Sequence, residues 1–484
     1  MTASERALES LHQTATAIFQ DALDACNIDS AFDRRMSFEG EGNNEVLTRL
    51  MPEGSGPVTL NLKDYPDIFV ISIGKAALTM LDTLMSRMKR RKGLRGICCS
   101  NDVPTERNWR FRYFEGGHPL PNEGSFAAAR AALTLLRKAD KRTLVIFLIS
   151  GGSSALFDLP LDPDITLEDT LGFHNALIAS GAPISEVNTV RKHFSADKGG
   201  RLALAAAEAT KLNILLPDVP LRTLDALASG PTSPDQTTVE EVRAILAKYD
   251  LLAKFPAAVT AFFSREDLPE SPGLKSRLAP FLPRMPWSDK SDRPEAAAKD
   301  ESAAFRDSIF EVLLSSHDLV ENARAHAQQA GYHVVVDNSC DDWDYADAAH
   351  YLLERFHALR AEHPRCCLVS GGEVTVTIDR VPGAGGRNMQ FALACAFDLA
   401  KYPQEQLLVF SAGSDGIDGN TRSAGAIADT TTISRATAFG YHPQDELGGF
   451  NACPLFTSLG DTVVTGLTGH NLRDLRLLIS EPAS

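Results

Sequence analysis

Most residues of this chain that could do chemistry sit in glycine-containing loops. Five polar loops follow short apolar runs, four of them with glycine and one, at Asp218, with proline. They are Gly74-Lys75 after FVISI, Ser150-Gly151-Gly152-Ser153-Ser154 after LVIFLI, Asp218-Val219-Pro220 after NILLP, Ser370-Gly371-Gly372-Glu373 after CCLV, and Ser411-Ala412-Gly413-Ser414-Asp415-Gly416 after LLVF. Glycine lets the backbone turn sharply and approach a ligand, and a helix that follows offers unpaired N–H groups to an anion. One such loop is an ordinary strand-end turn. Five of them, each with a polar or ionisable residue, point to a site for a phosphorylated or carboxylated small molecule. A further loop, Gly383-Ala384-Gly385-Gly386-Arg387-Asn388, frees the backbone around Arg387, whose guanidinium can hold a carboxylate or phosphate with two parallel bonds. The run from Asn188 to Arg201 adds Arg191, Lys192, His193 and Lys198. In an acidic chain that cluster is a candidate anion funnel, with a solvated helix face as the alternative.

These loops need strands that end at a common edge. Short β-branched runs at Ile68–Ile73, Leu144–Ile149, Asn213–Leu216, His333–Asp337, Cys367–Val369, Val374–Ile378 and Leu407–Ser411 read as strands. Helical patterns lie between many of them, at Phe126–Arg137, Gly200–Ala209, Ser315–Ala330 and Tyr345–Glu362. The alternation predicts an α/β fold of two α/β domains with largely parallel sheets. Uninterrupted runs such as Leu144–Ile149 predict sheets covered on both faces. Six prolines and many charges between Ser264 and Glu301 read as a linker, and Ile309–Leu314 as the opening strand of the second domain. The predicted division is therefore 1–263, a linker at 264–305, and 306–484.

Composition narrows the class. The chain has 484 residues, 44% of them hydrophobic and 23% charged, which fits an ordinary globular protein. Its formal net charge of -15 disfavours nucleic acid and anionic lipid as partners, while leaving room for a local basic pocket. None of the eight cysteines forms a Cys-x-x-Cys pair, and His326 and His363 show no metal-ligand spacing. With no secretory signal legible between Met1 and Gln20, and no long apolar span, the expected compartment is the cytoplasm. Lys75 is not in a Gly-x-x-x-x-Gly-Lys-Ser/Thr context, and no Gly-x-Gly-x-x-Gly joins a strand to a helix. A conventional dinucleotide enzyme is thereby disfavoured.

Taken in order, the segments resemble the glycerate 2-kinase family, the class II glycerate kinases with a MOFRL-type C-terminal domain. The resemblance rests on IGKAA at 73–77, GGHPLPNEGS at 116–125, LISGGSSAL at 148–156, NTVRKHFSADKGGRLA at 188–203 and ASGPTSPD at 228–235. It continues through VSGGEVTVTI at 369–378, GGRN at 385–388, GSDGIDG at 413–419 and AGAIAD at 424–429, which places a MOFRL-type segment at about 365–475. It implies ATP- and Mg²⁺-dependent phosphorylation of the 2-hydroxyl of D-glycerate, with the active site in a cleft between two domains. It also implies that Lys75 and Arg387 are the cationic pair at the transferred phosphoryl group, and that Asp218 and Asp415 are acidic positions of the cleft. On that reading Asp218 takes the hydroxyl proton, and Glu373 and Asp415 hold metal. Ser150, Gly151, Gly152, Ser153, Ser154, Arg191 and Lys192 hold substrate. Gly74, Ser370, Gly371, Gly372, Gly385, Gly386 and Asn388 serve the nucleotide.

The chain departs from the family pattern in three places. Leu216-Pro217-Asp218-Val219-Pro220-Leu221-Arg222 stands for Leu-Ser-Asp-Val-Pro-Gly-Asp. Met389-Gln390 stands for Gln-Glu, and Thr468-Gly469-His470-Asn471 for Thr-Gly-Thr-Asn. Two rival readings are a hydroxypyruvate reductase and a non-catalytic sensor of a phosphorylated metabolite. A homodimer is the default for a soluble oligomer.

Overall fold

The computed structural model describes residues 3–40, 46–49, 58–88, 93–273, 303–469 and 471–482. The chain forms two units, one of residues 28–313 and one that joins residues 1–27 to 314–484. They are called here the N-terminal and C-terminal units.

In the N-terminal unit, β1 (Met36–Glu39), β2 (Val46–Arg49) and β3 (Val58–Asn61) form a small antiparallel sheet. The main sheet contains β4 (Asp67–Ile73), β5 (Leu94–Ser100), β6 (Phe111–Glu115), β7 (Thr143–Ser150), β8 (Thr210–Leu216) and β9 (Ser308–Val312). Its order is β6-β5-β4-β7-β8-β9 and every pairing is parallel. The chain starts at the sheet centre with β4, winds outward to β6, and returns to lay β7 beside β4. The carboxyl ends of β4 and β7 thus flank the point where winding reverses, which is where open α/β sheets bind ligands. All eight residues of β7 are buried, as its unbroken apolar run requires. One sheet face, including Ile71, Ile73, Phe147 and Ile149, packs on Ala128, Ala129, Ala132 and Leu136 of helix Glu123–Leu136. Beside the sheet, helices Leu167–Ile178, Ile184–Phe194, Val239–Lys248 and Ala257–Phe263 close around Phe173, Phe194, Phe255, Phe262 and Phe263. That cluster fixes the helix carrying Arg191.

The C-terminal unit holds β10 (His333–Val336), β11 (Cys366–Gly371), β12 (Gln406–Gly413), β13 (Gly425–Asp429), β14 (Thr462–Val463) and β15 (Asp474–Glu481), in the order β10-β11-β15-β12-β13-β14. Only β10 and β11 pair in parallel. The last strand, β15, inserts antiparallel between β11 and β12.

Several expectations change. The largely parallel pattern describes the N-terminal sheet, whereas the C-terminal sheet is mixed. Ile309–Leu314 opens no second domain: β9 completes the first sheet beside β8. Residues 264–273 are not a free linker, because Leu268 is buried in the phenylalanine cluster and Ser271 accepts from Arg201. Residues 274–302 lie outside those described. Helix Ala3–Ala25 belongs to the C-terminal unit, with Phe19 against Phe410 at a ring separation of 5.0 Å. Val374–Ile378 forms no strand and makes one isolated bridge, Asp344 with Thr375. Helix Gly200–Ala209 shortens to Arg201–Ala205.

Candidate active site

In the N-terminal unit, the ends of β4, β7 and β8 bring Lys75, the Ser150–Ser154 loop and Asp218 together. Lys75 N donates to Gly151 O at 3.0 Å and Ala76 N to Ser150 Oγ at 3.0 Å. Gly74 has φ +115°, and a Cβ there would overlap Ser150 Oγ, so glycine is what lets the two loops touch. A Cβ on Gly151 would likewise overlap the Asp218 carboxylate. Lys75 is exposed, and no described group pairs with its ammonium. The hydroxyls of Ser150 and Ser153 are buried: Ser150 Oγ accepts from Ala76 N after β4, and Ser153 Oγ donates to Ser150 O at 2.6 Å. These two serines shape the loop, in place of the substrate contact expected of them. Ser154 Oγ lies 3.1 Å from Ser229 Oγ, which donates to Asn188 Oδ1.

The two cations of helix Ile184–Phe194 part company. Lys192 is buried, with Asp235 at 3.2 Å and Asp225 at 3.5 Å. It is committed to those carboxylates, which corrects its expected substrate role. Arg191 is partly buried and its Nε has no hydrogen-bond partner among the described residues. Burial lowers its pKa, opposed by the Asp158 charge. A guanidinium left unpaired in this way favours an incoming carboxylate or phosphate.

Sequence reasoning passed over two features here. His118 packs against Gly152 beside Lys75, and burial followed by the Lys75 charge lowers its pKa, which favours the neutral ring. Ala228, Ser229 and Gly230 are all left-handed, with φ 53°, 57° and 63°. Such strain in non-glycine residues persists where the surroundings hold it. Here it sets Ser229 between Ser154 and Asn188.

In the C-terminal unit, Arg387 begins helix Arg387–Leu399 and is pinned by two carboxylates. Asp474 accepts from Nε at 2.6 Å and from Nη2 at 3.0 Å, and Glu373 lies 2.8 Å from Nη2. Burial works against its charge, but Asp474 and then Glu373 outweigh it and raise the pKa. Nη1 is left without a protein partner among the described residues. Asp415 is half-buried, and its Oδ1 accepts from Ile417 N at 3.0 Å. Arg387, Glu373, Gly385, Gly386 and Gln390 line a cavity of about 470 Å³ walled by Val374, Ile378 and Phe450.

The anion cradle expected at Gly385, Gly386 and Asn388 is already filled. Asp418 accepts from Asn388 N at 3.0 Å and from Met389 N at 2.9 Å. A Cβ on Gly386 would overlap Asp418, so glycine here admits a carboxylate of the protein itself. Burial nevertheless pushes the Asp418 carboxyl up to about 6. Asn388 is fully buried, and its side chain bonds Ser411 and Asp418. Around β11, Ser370 is buried, Gly371 N donates to Asn338, and Gly372 backs onto Asp341. None of these opens toward a nucleotide as expected. Asp418, Asp474 and Arg473 were not singled out from sequence, although Asp418 sits in the legible Gly-Ser-Asp-Gly-Ile-Asp-Gly run.

Among the described residues no three His, Cys, Asp or Glu side chains gather as a metal site. Magnesium bound through nucleotide phosphates needs only one or two protein carboxylates. Asp415 fits that need. Glu373 does not, being held by Arg387 and lying 3.9 Å from Arg473.

Of the departures, Met389 is core, Gln390 donates to Leu447 O, and Thr468 Oγ1 donates to Ser414 O. His470 and the Arg222 side chain lie outside the described residues.

Residues 14–264 match a family described as a domain of unknown function, DUF4147, and residues 366–474 match the MOFRL family. A Pyrococcus horikoshii protein named glycerate 2-kinase is 32% identical over 85% of this chain and 87% of its own length. The chain belongs to the glycerate 2-kinase family. Its fold agrees with the Thermotoga maritima glycerate kinase crystal structure at a TM-score of 0.75, with 26% identity over 98% of this chain and 100% of that one. An Agrobacterium vitis relative, 32% identical over 92% of this chain and 96% of its own, carries a provisional hydroxypyruvate reductase name.

Proposed function

We propose that this family member transfers the terminal phosphoryl group of ATP to the 2-hydroxyl of D-glycerate, with Mg²⁺. The observation that carries the reading is the meeting of Lys75 and Asp218 at the winding reversal of the N-terminal sheet. Phosphoryl transfer needs alignment, cations at the equatorial oxygens and an acceptor for the hydroxyl proton. Lys75 supplies an uncommitted cation and Asp218 a half-buried carboxylate that accepts the proton. Arg191 supplies a fork for the glycerate carboxylate. Arg387, held by Asp474 and Glu373, presents Nη1 in a fixed orientation, which suits it to charge that develops during transfer. When bound, magnesium would offset the nucleotide phosphate charge, and Asp415 is the residue to hold it. His118, neutral beside Lys75, is a second group able to share the proton.

The test is ³¹P NMR of the product formed from ATP, Mg²⁺ and D-glycerate. Expected is 2-phosphoglycerate, lost in Lys75→Ala and in Arg387→Ala. Exclusive 3-phosphoglycerate would overturn the position, and no product would overturn the acceptor.

A second reading, hydroxypyruvate reduction, draws on the Agrobacterium vitis name and on a strand order shared with dinucleotide-binding folds. Against it, the loop after β4 reads Gly74-Lys75-Ala76-Ala77 and lacks the glycine spacing that admits a pyrophosphate. Hydroxypyruvate-dependent oxidation of NADH would establish it.

A further inference from the structure

The middle of the C-terminal sheet buries a charge that the reaction does not use. Arg476 lies on β15 with no solvent exposure, and its Nε, Nη1 and Nη2 have no hydrogen-bond partner among the described residues. The nearest carboxylate is Asp474, 3.7 Å from Nη2, and that carboxylate already takes both bonds of the Arg387 fork. One face of the guanidinium rests on the Phe391 ring at 5.1 Å. Burial lowers its pKa, and Arg387 adds to the effect while Asp474 opposes it.

Ser370 provides an independent sign. It stands directly opposite Arg476 in the β11–β15 register, so the two side chains share a sheet face. Its hydroxyl is buried and also without a hydrogen-bond partner among the described residues. Ser411, opposite Arg476 on the other side, is spent on Asn388. The spot therefore gathers guanidinium N–H donors and a free hydroxyl, walled by Phe391 and the buried Cys340 and Cys395.

We propose that Arg476 and Ser370 form a buried site for a small monovalent anion of the halide class. The argument is one of donor count. Guanidinium only donates, and a halide only accepts, so one ion can take several of these bonds at once. A water there would bring two hydrogens of its own to a place poor in acceptors. Asp474, the carboxylate beside Arg476, is shared with Arg387, and a fully buried arginine so weakly compensated is also strongly disfavoured. The anion completes the compensation of Arg476, whose pairing with Asp474 is long at 3.7 Å while Arg387 takes both short bonds of that carboxylate.

The experiment has a crystallographic and a solution arm, neither of which depends on kinase activity. Crystals soaked in bromide are expected to show an anomalous peak within hydrogen-bond reach of Arg476 and Ser370 Oγ. In solution, the wild-type Tm is expected to rise and saturate as chloride replaces gluconate at fixed ionic strength. Arg476→Met is expected to abolish that chloride dependence, and Ser370→Ala to shift its midpoint to higher chloride. The wild-type titration stands even if a variant fails to fold. Water density without bromine signal would overturn the proposal. So would a bromine peak with no chloride dependence of Tm, which would mark an adventitious ion only.

Discussion

At the scale of single residues, the site divides its polar groups into committed and uncommitted ones. Lys192, Ser150, Ser153 and Asn388 are spent on protein partners, while Lys75 and Arg191 are not. Replacing Arg191 by Ala should raise KM for glycerate, with kcat/KM falling about 30- to 150-fold as a charge-assisted bond worth about 2–3 kcal/mol is lost. Steady-state kinetics on both substrates checks this, since a nucleotide role would move KM for ATP instead. Gly151→Ala is expected to cut kcat sharply by displacing the Asp218 carboxylate while leaving the rest of β7 buried. Comparing kcat with Tm for that variant tells displacement from unfolding. Asp418 makes a pH prediction. Its folded pKa, about 6, lies above the usual carboxyl value of 3.8, so between those values the folded state binds more protons than the unfolded one. Stability from this group is present below pH 4 and is lost as pH rises toward 6. Asp418→Asn should therefore gain Tm relative to wild type as pH is raised across that window.

At the scale of elements, β4, β7 and β8 were legible because each holds a continuous apolar run bounded by turn residues, whereas β5 and β6, broken by Arg95 and Arg112, were not named as strands. The helix Tyr345–Glu362 was legible to the residue, since its apolar period is unbroken and Asp344 caps its first turn. β13 and β15 were not singled out. β15, DLRLLISE, carries an arginine that breaks the pattern of a buried strand, and its burial comes from strands distant in sequence. Prolines between 264 and 273 suggested a linker, yet Leu268 is held by aromatic contacts that no local signal announces. Leu268→Ala is expected to destabilise the N-terminal unit by about 2–5 kcal/mol, as deletion of a buried leucine does. Urea denaturation followed by fluorescence would measure it.

At the scale of the whole molecule, the division into units depends on pairings that span the chain. β9 closes the first sheet from beyond residue 300, and helix Ala3–Ala25 joins the unit of the C-terminal half. A chain cut at residue 263 should therefore lack its edge strand and expose β8, whereas residues 28–313 should fold alone. Circular dichroism melts of the two pieces distinguish the cases, a cooperative transition being expected for the longer piece only. The sequence by itself determined the α/β class, the family, and the loops holding Lys75, Asp218, Arg387 and Asp415. It could do so because each is a local pattern, an apolar run followed by a loop with an ionisable residue at Lys75, Asp218 and Asp415, and a glycine run before Arg387. Only the tertiary structure decided which charges are free. Asp474 reaches Arg387 across 87 residues, and Asp418 fills the helix terminus that the glycines had suggested for a phosphate. Charge pairing of that kind depends on distance in space, and a one-dimensional pattern does not contain it.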